Sequence, residues 1–286
     1  MRPRSGQLAT DGLIRRPGRK SLRRRTLSTS RRQARKTTGN DSNDHRTTQD
    51  NYQSQTRRPI VCLAFVLPLI LAYEIGAWLP GSESMRSGID LWLDKLLISI
   101  GAGHLVILPV ITTSLLMIWH HRQKDEWSFK PATLFGMSIE SLGLGMILFW
   151  AASAYYQLCS QCQADASLML PMMSENPRWT AASIVALGSG IYEELVFRLL
   201  LMVPAILILK KAIGQRYVAT AVAMILVSLI FTSLHYNVFN PSGPEIEISS
   251  FIFRFAASMV FCVLFLMRGF GIAVGTHVTF DVLTQM

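Results

Sequence analysis

The sequence predicts an all-α fold, a polytopic bundle of about seven transmembrane helices, and three observations predict it. The mean hydropathy is +0.31 and 50% of the 286 residues are hydrophobic, which is too apolar for an ordinary soluble domain. The apolar residues fall into seven stretches, approximately 60–80, 96–119, 132–157, 180–209, 217–239, 250–267 and 269–286. A helix needs about 20 such residues to cross a hydrocarbon core of about 30 Å. The charged residues between the stretches also alternate. His120-His121-Arg122-Gln123-Lys124 follows the second, Lys210-Lys211 and Arg216 join the fourth to the fifth, and Arg268 lies between the sixth and seventh. The connections at 158–179 and 236–249 carry Arg178 as their only Lys or Arg. With the N-terminus on the cytoplasmic side, this satisfies the positive-inside rule throughout and puts the C-terminus outside.

Along the chain, residues 1–58 come first and are unlike the rest. They hold 16 Lys/Arg against 4 Asp/Glu, whereas the other 228 residues hold 12 against 14, so the formal charge of +10 belongs to this tail. The tail lacks the aromatic and branched apolar residues that bury a core and is expected to be disordered. Its arginine clusters suit a cytoplasmic topology anchor touching anionic headgroups. No stacking aromatics accompany them, so nucleic acid is not an expected partner. A transit peptide is the other reading, since Asp11 is the only acid in the first 40 residues, and so is a start assigned too far upstream. The expected organisation is the tail at 1–58, N-terminal transmembrane helices at 59–179 and a membrane core at 180–286. The last stretch is short, which leaves an eighth crossing open. Cys62 and Cys262 lie in apolar stretches and read as small buried hydrophobes. Cys159 and Cys162 form a lone CxxC, either a local disulfide or two idle thiols.

Six ionisable residues form three motifs, one per apolar stretch: Glu193-Glu194-Leu195-Val196-Phe197-Arg198, Phe231-Thr232-Ser233-Leu234-His235 and His277-Val278-Thr279-Phe280-Asp281. An acid or base at the centre of a membrane helix costs about 2.5–3.5 kcal/mol on insertion scales, so six of them call for a buried polar site. Glu194 and Arg198 are spaced i, i+4 and share a helix face. Glu193 lies about 100° around the helix and points elsewhere, as a carboxylate without an arginine partner, suited to general-base work. His277 and Asp281 are also i, i+4, so Asp281 can accept the imidazole N–H and fix its tautomer. Structural ion pairing is the competing reading of the first motif, an interfacial hydrogen bond that of His235, and a proton relay that of the third. His104, Glu74 and Glu140 stand without motifs and read as structural. Gly188-Ser189-Gly190 marks either a break in the fourth stretch or a close helix contact.

Glu-Glu-x-x-x-Arg, Phe-x-x-x-His and His-x-x-x-Asp, in this order on transmembrane helices, resemble the CPBP family, the CAAX-protease and bacteriocin-processing intramembrane proteases also called the Abi family. The similarity is to type II CAAX prenyl endopeptidases and covers roughly residues 180–284. It implies an all-helical endopeptidase acting on membrane-anchored or lipidated peptides. On this resemblance Glu193 activates water, His235 helps to position it, His277 and Asp281 stabilise the oxyanion, and Glu194 and Arg198 support. The best-studied members have Asn where this chain has Asp281. An ionised Asp accepts hydrogen bonds and cannot donate them, so Asp281 is expected to orient His277 or to act protonated, with the oxyanion role falling on His277.

Two cofactor readings stand side by side. Glu193, His235 and His277 are a plausible zinc set, with Glu194 then left as the base, yet the helical His-Glu-x-x-His signature is absent. A metal-independent attack by activated water is the preferred scheme. The expected location is an integral membrane position, a bacterial inner membrane first and an organelle membrane as the alternative. Two other functions fit the same residues: a non-catalytic binding or immunity protein, and a proton-coupled transporter.

Overall fold

The computed structural model describes residues 52–77, 107–160, 179–236 and 246–285. These residues contain helices and no strand. In chain order they are α1 (Pro59–Ala77), α2 (Ile107–Gln123), α3 (Pro131–Ser160), α4 (Trp179–Glu194), a π-helix (Leu195–Met202), α5 (Val203–Ile213), α6 (Arg216–Leu234), α7 (Ile248–Arg268) and α8 (Phe270–Thr284). Each of the seven apolar stretches thus corresponds to one helical segment, the fourth being the continuous run of α4, π-helix and α5. Among the described residues, α1, α3, α6 and α7 are long and apolar enough to cross a membrane, and α8 is a shorter apolar helix. The tail to residue 51, His104, Cys162 and the start of the second stretch lie outside the described residues. Cys62 and Cys262 are buried and free, as expected, and Cys159 is also free.

The bundle is organised around α8. Every residue from Phe270 to Val278 is buried, and α8 packs against α3, α4, α7 and α1. A helix that is apolar all round and buried all round is a central helix rather than a surface one. The turn that delivers it is tight. Gly269 has φ +95°, and an added Cβ would stand 2.9 Å from the Thr56 carbonyl oxygen. Both facts favour glycine there.

Close approach also explains Gly188-Ser189-Gly190. The helix runs through it unbroken. A Cβ on Gly188 would lie 2.3 Å from the Tyr73 ring on α1, and one on Gly190 would lie 2.5 Å from Val278 Cγ2 on α8. The glycines are contact points between helices, the second of the two expectations. The irregularity comes one turn later, where Leu195–Met202 winds as a π-helix. Pro204, at the start of α5, lacks an N–H and leaves the preceding α-ladder short of a donor. Such π segments are rare and concentrate near functional sites.

Both motif-free acids within the described residues have partners. Glu140 on α3 receives two bonds from Arg268, at 2.5 and 2.6 Å, and one from the Tyr52 hydroxyl at 2.8 Å. Glu74 on α1 accepts the Tyr192 hydroxyl at 2.8 Å. They hold helices together, as their lack of a motif suggested.

Candidate active site

The three motifs converge although they lie on different helices. Glu193 and Glu194 end α4, Arg198 sits in the π-helix, His235 caps the C-terminus of α6, and His277 and Asp281 are on α8. Glu194 is fully buried and Arg198 likewise, and their side chains approach to 3.2 Å. This is the i, i+4 relation expected from the spacing. Arg198 also donates to the Ser258 carbonyl and to Ser258 Oγ, both at 3.2 Å. Its guanidinium lies 5.0 Å from the Phe231 ring centre and 5.5 Å from that of Phe261, within cation–π range.

His277 is held on both edges. Its Nδ1–H donates to Glu194 Oε1 at 2.8 Å, since an ionised carboxylate can only accept. The opposite nitrogen, Nε2, faces Glu193 Oε2 at 3.7 Å and Asp281 Oδ2 at 3.6 Å. Phe261 stacks on the ring, 4.4 Å between centres and 17° between planes. The spacing had assigned the orienting bond to Asp281. The geometry gives it to Glu194, because α4 and α8 pack closely enough at Gly190 to bring that carboxylate to the ring.

Glu193 points elsewhere than Glu194, as its place about 100° around the helix predicts. The two carboxylates reach opposite edges of one imidazole, because α8 lies in the angle between their directions. Glu193 has a partner of its own: Ser189 Oγ, one turn earlier, donates to its Oε1 at 2.8 Å. His235 Nε2 stands 3.8 Å from the same oxygen. The other ring nitrogen of His235 donates to the Phe231 carbonyl at 2.8 Å, since a carbonyl oxygen only accepts, and this leaves Nε2 turned to Glu193. The 3.8 Å between that nitrogen and Glu193 Oε1 is a spacing that one water can bridge.

Glu193, His235, His277 and Asp281 line a cavity of about 330 Å³, with Ser189 and Arg254 also in its wall. Glu194 and Arg198 are absent from that wall and stand behind His277. A larger cavity, about 600 Å³, lies between α1 and α2, with Glu74 as its single acid and none of the six motif residues. The ionisable motif residues that reach a cavity gather at the smaller one. Among the described residues, no group of three or more His, Cys, Asp or Glu side chains is arranged to hold a metal ion. The Nδ1 atoms of both histidines are tied back as those of metal ligands are, but Glu193, His235 and His277 do not converge as a zinc set.

Four contributors were missed from the sequence. Ser189 carried a usable signal, a hydroxyl one turn from a buried acid. Arg254 carried a stronger one, a cation inside an apolar stretch. Ser258 and Phe261 carried none, because α7 is brought to α4 and α8 only by tertiary packing.

The arrangement can be set against known proteins. Residues 175–283 match the family model of the Rce1-like type II CAAX prenyl endopeptidases. The match bears out the expected family resemblance over that segment, and the family is one of proteases. The Rce1-like segment contains all six motif residues together with Ser189, Arg254, Ser258 and Phe261, and it runs from before α4 to the end of α8. The first three helices lie outside it. No curated protein and no solved structure matches the chain.

Proposed function

We propose that the chain is an intramembrane endopeptidase that hydrolyses a peptide bond in a membrane-anchored or lipidated substrate by direct attack of an activated water. One observation carries this reading. The two oxygens of Glu193 face the Nε2 atoms of His235 and His277, at 3.8 and 3.7 Å, in the wall of one cavity. Glu193 Oε1 and His235 Nε2 hold the water between them. Glu193 takes a proton as the water oxygen bonds to the substrate carbonyl carbon. His277, protonated on both nitrogens, keeps Nδ1–H on Glu194 and donates Nε2–H to the developing oxyanion. When the tetrahedral intermediate collapses, the C–N bond breaks and Glu193 returns its proton to the leaving amine. Glu194 and Arg198 touch none of the reacting atoms and act as positioning residues for His277. Asp281 holds the Nε2 edge of the ring toward the cavity.

The reading includes an integral membrane position, a bacterial inner membrane with an organelle membrane as the alternative, and a cytoplasmic N-terminal tail against anionic headgroups. The charge asymmetry of residues 1–58 supports it. The test is cleavage of membrane peptides, including lipidated-cysteine peptides, by the purified, reconstituted protein beside Glu193→Ala, with and without chelator. Cleavage that is lost in the variant and indifferent to chelator is expected. Cleavage that survives in Glu193→Ala overturns the water-activation assignment. Cleavage that chelator abolishes overturns its metal-independence.

A further inference from the structure

Resting on the endopeptidase reading, we propose that Arg254 binds the free C-terminal carboxylate of the substrate, so that the enzyme measures its cleavage position from the end of the chain. Arg254 lies inside α7 and in the cavity wall, and it is the one Lys or Arg among the described residues lining that cavity. An arginine inside an apolar helix is costly and marks a function or an ion partner. Among the described residues no carboxylate lies within 4.0 Å of its guanidinium, whereas Arg198 and Arg268 both have one.

The cavity needs such a cation. Its wall carries Glu193 and Asp281, and these two carboxylates repel any substrate that ends in a third. Arg254 supplies the compensating charge and presents the planar donor fork that pairs with a carboxylate in two parallel bonds.

Its position sets a length. Phe261, stacked on His277, marks the reacting level on α7. Arg254 lies seven residues earlier on the same helix, about 10.5 Å along the axis. That is the span of about three extended residues. Thr284 and Gln285, about two turns beyond His277 on the other wall of the cavity, line the same end with polar groups. A CAAX sequence is C-terminal by definition, with three residues after its lipidated cysteine. A peptide bond held at His277 and a terminal carboxylate held at Arg254 are separated by the right amount of chain for such a substrate.

The experiment uses one peptide with a lipidated cysteine followed by three residues, made once as the free acid and once as the carboxamide. Binding is measured on the reconstituted Glu193→Gln protein, where nothing is consumed, and cleavage on the wild type. Arg254→Gln and Arg254→Lys are made in both backgrounds, and their thermal unfolding is compared with that of the parent. The acid is expected to bind and to be cleaved about tenfold or more better than the amide, the worth of a charge-assisted hydrogen bond. Arg254→Gln should bring the acid down toward the level of the amide and cost the amide far less. Arg254→Lys, which keeps the charge and loses the fork, should retain a reduced preference, and it carries the test if Arg254→Gln fails to fold.

Equal treatment of acid and amide by the parent protein overturns the proposal. So does an equal loss for both peptides in Arg254→Gln, which would make Arg254 a counter-charge for Asp281. A preference that tracks anionic against zwitterionic vesicles rather than the peptide terminus assigns Arg254 to lipid phosphate and overturns it too. Arg254-dependent acid binding without cleavage of either peptide would sink the endopeptidase reading and leave the carboxylate anchor standing.

Discussion

Glu194 accepts the Nδ1–H of His277 at 2.8 Å across 83 positions of sequence, while Glu193, its immediate neighbour, faces the opposite nitrogen of the same ring at 3.7 Å. Adjacent carboxylates on one helix therefore hold one imidazole between them. One is locked behind the ring with Arg198, and the other is turned into the cavity with His235. The proposed division of labour between a positioning acid and a reacting acid follows from that difference.

The two glutamates should then fail in different ways when neutralised. Glu193→Gln is expected to lower turnover by about 10²–10⁴, the usual worth of a general base, with its unfolding transition close to wild type. Glu194→Gln should lose activity and stability together. It leaves Arg198, fully buried, without its counter-charge, and breaking a buried pair on one side costs about 3–5 kcal/mol. Turnover and chemical unfolding of the two variants side by side check this. Equal stability losses would refute the division.

Arg198 is best probed as one side of that pair. Arg198→Leu should be destabilised by a similar amount, whereas Arg198→Leu combined with Glu194→Leu should recover much of the loss, because no lone charge then remains buried. Activity should not return in the double variant, since His277 has lost its Nδ1 acceptor. A double variant with costs that simply add would show that the pair is not coupled.

Packing at Gly190 is expected to be tied to catalysis. A Cβ there would lie 2.7 Å from the Val278 backbone nitrogen as well as 2.5 Å from its side chain, so Gly190→Ala must push α4 away from α8. Overpacking of this kind costs about 1–3 kcal/mol, and here it also separates Glu194 from His277, the residue before Val278. Gly143→Ala on α3 meets nothing within 4 Å and serves as the control, neutral or stabilising by about 0.5–1 kcal/mol through helix propensity. Retained turnover in Gly190→Ala would dissociate the contact from the site.

A pH-dependent effect is expected far from the cavity. Burial, then the hydrogen bond to Glu140, raise the pKa of the Tyr52 hydroxyl well above its ordinary 10.0. The folded protein thus keeps this proton at a pH where the unfolded chain loses it. The sign is that of a raised group: the contribution is fully present below about pH 10 and is lost as pH rises beyond that. The stability difference between wild type and Tyr52→Phe should therefore be constant from about pH 7 to 9 and shrink above about pH 10. A difference that grows with alkalinity would contradict the assignment.

What was legible in the sequence divides along a physical line. The helical segments could be read because hydrocarbon demands about 20 apolar residues per crossing. The Glu194–Arg198 contact could be read because it is made within a single helix. The Glu194–His277 bond could not, since it depends on how closely α4 and α8 pack. Gly190 allowed that approach, and its two readings, break or contact, were indistinguishable by sequence. The π-helix left no trace either, because the residues of Leu195–Met202 suit an α-helix as well as a π-helix. Arg254 is a different kind of omission. Its cost in an apolar stretch was visible, and only the absence of a motif around it hid its relevance.

The position of α8 has a consequence for how the molecule is made. It is the innermost of the described helices and also the last of them in chain order, so α1, α3, α4 and α7 enter the membrane before the element they surround. Domains generally form from the N-terminal end during synthesis. Until α8 arrives, Glu193 and Glu194 have no imidazole to hold, and the proposed hydrolytic centre is incomplete. The proposed centre is complete only once α8 has been inserted.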